Sequence, residues 1–162
     1  MPFSRHQCNI NPRTSICELL SLKARTAQDP FNTAKMRIED MSIKEGQDFK
    51  IRIKPDDDCS RFSINIGHDS ENIALHFNPR FDDSVIVCNS MSGGCWGDEH
   101  RDGNLCFSRG EESKFYINFN FEEFFIKLPD GSMMSFPNRL GDGKYKYFEV
   151  RGDARIIGMK LK

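Results

Sequence analysis

The stretch FYINFNFEEFFIKL, residues 115–128, decides the fold class of this 162-residue chain. Apolar side chains occupy every second position from Phe115 to Phe121 and again from Phe124 to Leu128. This period is typical of a β-strand with one face on a hydrophobic core and the other in water. Pro129-Asp130-Gly131, which follows directly, has the composition of a tight turn. The stretch therefore predicts antiparallel strands whose phenylalanines form a core.

The same alternation recurs along most of the chain. It covers residues 49–54, 62–66, 73–78 and 157–161, and polar segments rich in Asp and Gly separate these runs. In the last two runs it places Ile73, Leu75 and Phe77 on one face, and Ile157, Met159 and Leu161 on one face. Many short strands without a convincing helix after residue 36 predict an all-β sandwich or barrel.

Composition limits the function classes. The chain has a mass of 18.7 kDa, a formal net charge of -1 and 29% charged residues. One domain is expected at this length. The near-zero charge argues against a nucleic-acid partner bound by bulk electrostatics, and the sequence has no apolar run of about 18 residues that would insert into a membrane.

The first 35 residues differ from the rest, because they are polar and show no sustained period. We expect residues 1–35 to be an N-terminal extension, flexible or draped on a domain of residues 36–162. The first 20 residues also lack the apolar core of a secretory signal. The six cysteines are therefore expected to be thiols in a reducing compartment: Cys8, Cys17, Cys59, Cys88, Cys95 and Cys106.

Polar side chains with rich hydrogen-bonding capacity are concentrated on one predicted strand. His76, Asn78 and Arg80 are spaced by two, so they share the wet face of that strand. Asn89 ends the next apolar run and could join them. Together these groups can hold a ligand that presents several hydroxyls.

Trp96, the only tryptophan, follows this strand pair in the glycine-rich segment GGCWG at residues 93–97. A tight glycine-rich turn is a poor place for a core residue. Glu99 and Arg101 come next and are again spaced by two. A pyranose has hydroxyls on its rim and an apolar C–H patch, so directional polar groups beside an exposed indole suit a sugar.

These residues resemble the galectin signature H-x-N-x-R, V-x-N, W-x-x-E-x-R. The matching segments are HFNPR at 76–80, VCN at 87–89 and WGDEHR at 96–101, and the likeness extends over residues 36–162. The resemblance implies a galectin-type jelly-roll sandwich of two antiparallel sheets. It also implies a lectin that binds β-galactosides such as lactose, with no catalysis, metal or cofactor.

The resemblance also assigns roles to seven positions. His76, Asn78 and Arg80 would bind the axial hydroxyl and ring-oxygen region of galactose, and Trp96 would stack on its apolar face. Asn89 and Glu99 would hold an outer hydroxyl, while Glu99 with Arg101 would reach the next sugar. We expect Glu99 to pair with Arg80 or Arg101, which would fix the guanidinium groups.

One departure from the family leaves an alternative open. The loop at residues 81–84 is shorter than is usual in galectins, which predicts a more open groove. The alternative function is a galectin-fold protein-interaction module with weak or lost sugar binding. A pair of catalytic carboxylates is not indicated by any motif.

Partners and location follow from the resemblance. The expected partners are galactose-containing glycans and glycoproteins, with no nucleic acid and no membrane insertion. A homodimer through the terminal strands is possible, with contributions from Ile38, Met41, Ile157, Met159 and Leu161. The expected location is the cytoplasm, with secretion to the extracellular space that needs no signal peptide.

Overall fold

The computed structural model describes residues 34–162, which form fourteen β-strands and no helix. The strands are β1 (Ala34–Ile38), β2 (Ile43–Lys44), β3 (Phe49–Pro55), β4 (Phe62–Asp69), β5 (Asn72–Arg80), β6 (Val85–Ser92), β7 (Cys95–Trp96), β8 (His100–Asp102), β9 (Ser113–Phe119), β10 (Glu123–Lys127), β11 (Met133–Pro137), β12 (Lys144–Tyr145), β13 (Tyr147–Gly152) and β14 (Ala154–Leu161). Each run of alternating residues in the sequence corresponds to one of these strands.

The strands form two large antiparallel sheets. The seven-stranded sheet has the order β1-β13-β4-β5-β6-β7, with β8 also paired to β6. The five-stranded sheet has the order β11-β10-β9-β3-β14, and β2 pairs with β12 in a small separate ribbon. This architecture confirms the predicted all-β sandwich of two antiparallel sheets.

Phenylalanines fill the space between the two sheets. Phe77 on β5 stacks on Phe115 on β9, with ring centroids 5.3 Å apart. Phe49 on β3 meets Phe148 on β13 edge-on at 5.2 Å. All four rings are fully buried, and each contributes about 1.5–3 kcal/mol of hydrophobic stabilisation. The interior is therefore built from the inward positions that the alternation predicts.

For two apolar side chains near strand ends, the alternation predicts the wrong face of the strand. Phe121 is 55% exposed because β9 ends at Phe119 and residues 120–122 make the turn to β10. Ile157 is exposed because the pairing of β14 with β3 shifts between Ile156 and Gly158. This bulge packs Ile156 against the core with Met159, so the predicted grouping of Ile157 with Met159 was wrong.

A third irregularity shapes the open face of the seven-stranded sheet. The pairing of β5 with β6 shifts between Ile73 and His76. Both Ala74 and Leu75 enter the core, while Ile73 lines a groove on the opposite face. The expectation that Ile73 shares the face of Leu75 and Phe77 was therefore wrong, because a bulge reverses the face.

The predicted extension, residues 1–35, lies almost wholly outside the described residues, as do Cys8 and Cys17. The extension and the domain boundary therefore stay predictions. Cys59 and Cys88 are buried thiols. Within the described part of the chain, no helix is long and apolar enough to cross a membrane.

Candidate functional site

A row of polar residues crosses five neighbouring strands of the seven-stranded sheet. The strand register places these residues side by side in the order Arg37, Glu149, Asn65, His76 and Asn89. All five line a groove of about 870 Å³. Because paired residues in a sheet point to the same face, the row forms a continuous polar floor.

The structure brings the predicted site residues together. Six of the seven line this one groove: His76, Asn78, Arg80, Asn89, Trp96 and Glu99. Arg101 is not among the groove-lining residues, but its guanidinium donates to the carboxylate of Glu99. The seven positions therefore form one connected site.

Arg80 is held in place by acceptors on both sides. Its Nε donates to Oδ1 of Asn78 at 2.8 Å, and its Nη2 donates to Oε1 of Glu99 at 3.3 Å. Nη2 of Arg101 donates to the other oxygen of Glu99 at 2.8 Å. The hydrogen bond from Arg101 lowers the pKa of Glu99, and the nearby charge of Arg80 adds to this. The expected pairing of Glu99 with Arg80 and Arg101 is thus confirmed. These contacts hold the guanidinium group of Arg80 in position before a ligand binds.

Trp96 stands at the edge of the groove with half of its surface in solvent, 50% exposed. Its ring centroid lies 4.8 Å from that of His76, with the planes tilted by 59°. The indole is therefore outside the core, as the glycine-rich turn predicted, and it offers an apolar plate beside the polar floor.

Asn89 supports the turn that presents Trp96. Its Nδ2 donates to the carbonyl of Gly97 at 2.9 Å, and its Oδ1 accepts from Nη1 of Arg139 at 3.2 Å. Arg139 also donates to the carbonyl of Asp98 at 2.9 Å. Arg139 was not predicted as a site residue, because residue 139 is distant from the motif and only the fold brings it to this turn.

The row also fixes which nitrogen of His76 can accept a hydrogen bond. Nδ2 of Asn65 donates to the carboxylate of Glu149 at 3.1 Å, and a carboxylate can only accept. Oδ1 of Asn65 must therefore face Nδ1 of His76, at 2.6 Å, and accept its proton. In the neutral ring this leaves Nε2 as an acceptor.

His76 stays neutral well below neutral pH. Burial lowers its pKa to about 4, and the positive charge of Arg80 acts in the same direction. Arg61 and Arg151 lower it further, against the opposing charge of Glu99. The ring therefore offers Nε2 as an acceptor over the whole physiological pH range.

Glu149 anchors the row from beneath and is only 1% exposed. Burial alone would raise its pKa, but hydrogen bonds from Arg151, Arg37 and Tyr147 outweigh this and lower the pKa to about 2. The carboxylate is thus an ionised, fully bonded group in the floor of the groove. Neither Glu149 nor Asn65 was predicted as a site residue. Asn65 lies on the polar face of its alternating strand, but the sequence of that strand does not show that Glu149 and His76 are its neighbours.

The loop at residues 81–84 is a tight turn. The backbone N of Ser84 donates to the carbonyl of Phe81 at 3.3 Å, and Ser84 adopts the left-handed conformation with a φ of 51°. The effect of this short loop on the choice of glycan stays a prediction.

This arrangement suits recognition of a polyhydroxylated ring. Fixed donors on Arg80 and Asn78, an acceptor on His76 and an apolar plate on Trp96 face one groove. Across residues 34–162, no three His, Cys, Asp or Glu side chains gather to hold a metal ion. The side chains present can bind and orient a sugar by hydrogen bonds and stacking.

Comparison with known proteins gives a consistent result. A sequence model of the family described as Galactoside-binding lectin matches residues 33–161. Human Galectin-2 is 44% identical over 130 residues, which are 80% of this chain and 98% of that protein.

Solved structures share the fold. Chicken Galectin 2 is 37% identical with a TM-score of 0.78, over 80% of this chain and 100% of that one. CG-16, a homodimeric agglutinin from chicken liver, is 35% identical with a TM-score of 0.74, over 78% of this chain and 98% of that one.

Proposed function

This chain belongs to the galectin family of galactoside-binding lectins and functions as a β-galactoside-binding lectin, and we propose that the seven signature residues form its sugar site. The observation that supports this assignment most directly is the groove itself. It joins a neutral His76, a fixed Arg80 and a half-exposed Trp96 on one surface.

Each of these groups has a separate role in binding galactose. The axial 4-hydroxyl donates its proton to Nε2 of His76 and accepts from Asn78 and Arg80. The apolar face of the ring rests on Trp96, while Asn89 and Glu99 hold an outer hydroxyl. Glu99 and Arg101 contact the next sugar. Glucose, with an equatorial 4-hydroxyl, would leave these buried polar groups unpaired, which lowers affinity.

We propose that the groove binds without catalysis. Glycoside hydrolysis requires a carboxylic acid that can donate a proton across the bond from a second carboxylate. Hydrogen bonding with arginines lowers the pKa of both Glu99 and Glu149, so both are ionised at neutral pH. An ionised carboxylate does not donate a proton, so the states of Glu99 and Glu149 support a binding function.

Titration of the intrinsic fluorescence tests this assignment, because Trp96 is the only tryptophan in the chain. Lactose and cellobiose differ only in the orientation of one 4-hydroxyl. We expect lactose to change the emission of Trp96 in a saturable way and cellobiose to have at least about tenfold weaker affinity. Equal responses to the two sugars, or none to either, would contradict the proposal and favour the protein-interaction alternative.

A variant pair separates stacking from folding. Trp96→Ala should lose most lactose affinity in calorimetry while its melting temperature stays close to that of the parent, because the indole is half exposed. Phe121→Ala removes an equally exposed aromatic side chain elsewhere and should bind lactose normally. If both variants bind lactose like the parent, Trp96 is not part of the site.

We also propose an oligomeric state and a cellular location. A homodimer is supported by the relative CG-16, which is described as homodimeric. Cytoplasmic synthesis with signal-independent secretion is supported by the free thiols of Cys59, Cys88, Cys95 and Cys106, since cysteines stay reduced in the cytoplasm. If secretion stops when transport from the endoplasmic reticulum to the Golgi is blocked, the proposal of signal-independent secretion is contradicted.

A further inference from the structure

The five-stranded sheet, which lies opposite the groove, carries an excess of positive charge. Its five strands contain one carboxylate, that of Glu123, and seven lysines or arginines. The seven are Lys50, Arg52 and Lys54 on β3, Lys114 on β9, Lys127 on β10, and Arg155 and Lys160 on β14. Because the formal net charge of the whole chain is only -1, positive charge is concentrated on this sheet.

The seven cations share the outer surface of the sheet. The cations of β3 alternate with side chains that are fully buried, so they point away from the core. Lys114 precedes the buried Phe115 on β9, and it pairs with Arg52. On β14, Met159 packs against the core while Lys160 pairs with Lys50. We call this outer surface of β14, β3, β9, β10 and β11 the basic face.

One register row crosses the whole basic face. Lys160, Lys50, Tyr116, Lys127 and Met133 lie side by side on five neighbouring strands. Neighbouring strands are about 4.8 Å apart, so the row extends over about 19 Å. Three ammonium groups and two apolar or aromatic side chains therefore form one band.

The cations also extend along the strands. Arg155 pairs with Lys54, and Arg52 pairs with Lys114, at successive positions away from Lys50. Residues rise about 3.4 Å each along a strand, so Lys50 and Lys54 are about 14 Å apart. The charges thus cover an area that is about 14 Å across in both directions. A linear polyanion would follow one row, whereas a charged surface contacts the whole area.

Most of these cations are available to a partner. Within residues 34–162, Arg52 is the only one of the seven that has a carboxylate within 4.0 Å, and that carboxylate belongs to Glu112. The carboxylate of Asp48, at the edge of the basic face, accepts from Nδ2 of Asn118 at 2.9 Å. Six cations therefore lack a competing anion on the protein itself.

Apolar side chains stand beside these charges. Met133 is 60% exposed, and with Phe125, Tyr116 and Lys127 it lines a groove of about 260 Å³. Nζ of Lys127 lies 6.0 Å from the centre of the Tyr116 ring. Lysines beside exposed apolar and aromatic side chains are typical of surfaces that rest on a bilayer, where the apolar groups enter the headgroup region and the cations bind anionic lipids.

We propose that the basic face docks on a membrane surface that is rich in anionic phospholipids. Charge complementarity selects this partner, because the cations form an area rather than a line. Docking is peripheral and requires no segment that crosses the bilayer. It is independent of the proposed sugar site, which lies on the other sheet and stays open to a glycan while the protein is docked.

Cosedimentation of the full chain with vesicles tests the proposal. One set of vesicles is phosphatidylcholine alone, and the other contains about 30% phosphatidylserine; neither contains glycan. We expect at least about tenfold stronger binding to the anionic vesicles in about 100 mM sodium chloride. The difference should shrink strongly in about 500 mM sodium chloride, because exposed charges are screened. Saturating lactose should leave vesicle binding unchanged.

Charge variants locate the contact. Lys50→Gln combined with Lys127→Gln should weaken binding to the anionic vesicles by at least about tenfold. Arg155→Gln combined with Lys160→Gln, an independent pair on β14, should have a similar effect. The matched control is Lys35→Gln combined with Lys146→Gln, which removes the same charge outside the five-stranded sheet and should bind like the parent. Lactose affinity, measured on every variant, confirms that each is folded.

Three results would overturn the proposal. The first is equal binding of the parent to neutral and anionic vesicles, or binding to neither. The second is release of the parent from vesicles by lactose, or an equal loss of binding in the control pair, because the contact would then lie elsewhere. The third is retention on heparin or on double-stranded DNA without binding to anionic vesicles, since the basic face would then recognise linear polyanions. None of these results affects the lectin assignment.

Discussion

His76 can present either ring nitrogen to a ligand, and its neighbour Asn65 decides which. The amide of Asn65 is oriented by the carboxylate of Glu149, which accepts from Nδ2 at 3.1 Å. One strand, β4, thus separates the carboxylate of Glu149 on β13, which sets the orientation, from the imidazole of His76 on β5. At the scale of single residues, we propose that specificity for the sugar depends on Asn65 and Glu149 as well as on the signature residues.

Replacing Asn65 by Leu tests this dependence. The variant keeps the side-chain volume but removes the acceptor for Nδ1 of His76, so the ring loses its fixed orientation. We expect lactose affinity in calorimetry to fall by about tenfold. Asn118→Leu, the same change on the five-stranded sheet, should leave affinity unchanged. Equal affinity in Asn65→Leu and the parent would contradict the orienting role.

The lowered pKa of His76 predicts a dependence of stability on pH. Burial, followed by the charge of Arg80, brings the pKa from 6.5 to about 4. Between these values the unfolded chain binds a proton that the folded chain does not. The contribution of His76 is therefore full above pH 6.5 and is lost as pH falls to 4, by at most about 1.4 kcal/mol per pH unit.

Urea unfolding at several pH values, on the parent and on His76→Gln, measures this contribution. The free energy of unfolding of the parent should fall more steeply between pH 6.5 and 4 than that of the variant. Lactose affinity of the parent should stay nearly constant from pH 7 to 5 and fall near pH 4, when Nε2 becomes protonated. Parallel stability curves for the two proteins would show that His76 has an ordinary pKa.

At the scale of elements, the β4–β5 hairpin determines where the groove-lining side chains point. Its register shifts on both sides of Gly67, at the point where β4 approaches the start of β5. A Cβ at Gly67 would lie 2.2 Å from the backbone oxygen of Asn72 and 2.7 Å from Cα of Ile73. Only glycine allows this approach, so residue 67 fixes the path of β5 into the site.

Gly67→Ala should therefore destabilise the protein by about 1–3 kcal/mol, because two backbone segments must move apart. Thermal melting measures the effect, and a fall of roughly 3–10 °C is expected. Gly103→Ala serves as the matched control, since a Cβ there meets nothing within 4 Å. Similar melting temperatures for Gly67→Ala and the parent would show that the hairpin adapts without cost.

At the scale of the whole molecule, each large sheet ends in an edge strand whose outer side is not paired with any other strand within residues 34–162. β1 is the last strand of the seven-stranded sheet, and β14 is the last strand of the five-stranded sheet. Edge strands present unpaired backbone groups that a second copy can cover. Ile157, exposed on β14 by its bulge, adds apolar surface to that edge. These features support the proposed two-fold homodimer.

Ile157→Lys tests the homodimer, because a lysine on an edge strand opposes pairing with a second copy. Sedimentation should show the parent as a dimer at micromolar concentration and the variant as a monomer, with unchanged lactose affinity per chain. Phe121→Lys, which changes an exposed apolar residue in the β9–β10 turn, should remain dimeric. A monomeric parent would refute the proposal, and a dimeric Ile157→Lys would place the interface elsewhere.

Some features of the molecule follow from the sequence by itself, because they depend on residues close together in the chain. The alternation in β3, β9 and β10 needs only its own strand to show which face is apolar. The spacing of His76, Asn78 and Arg80 likewise places them on one face, and the glycines beside Trp96 keep the indole out of the core. The all-β fold class was predicted on this basis, and the family and the seven signature positions were predicted from the resemblance to the galectin signature.

Only the tertiary structure decided which distant residues complete the site. Glu149 and Asn65 are 84 positions apart and meet only through the register of β13 on β4. The residues of β13 alternate, with Phe148 and Val150 in the core and Glu149 and Arg151 in the groove, but the strand's own sequence does not show that β4 lies beside it. Bulges at Ile73 and Ile157 reverse a face through pairing with a neighbouring strand. Register and bulges depend on packing between remote segments, which the period of a single strand does not contain.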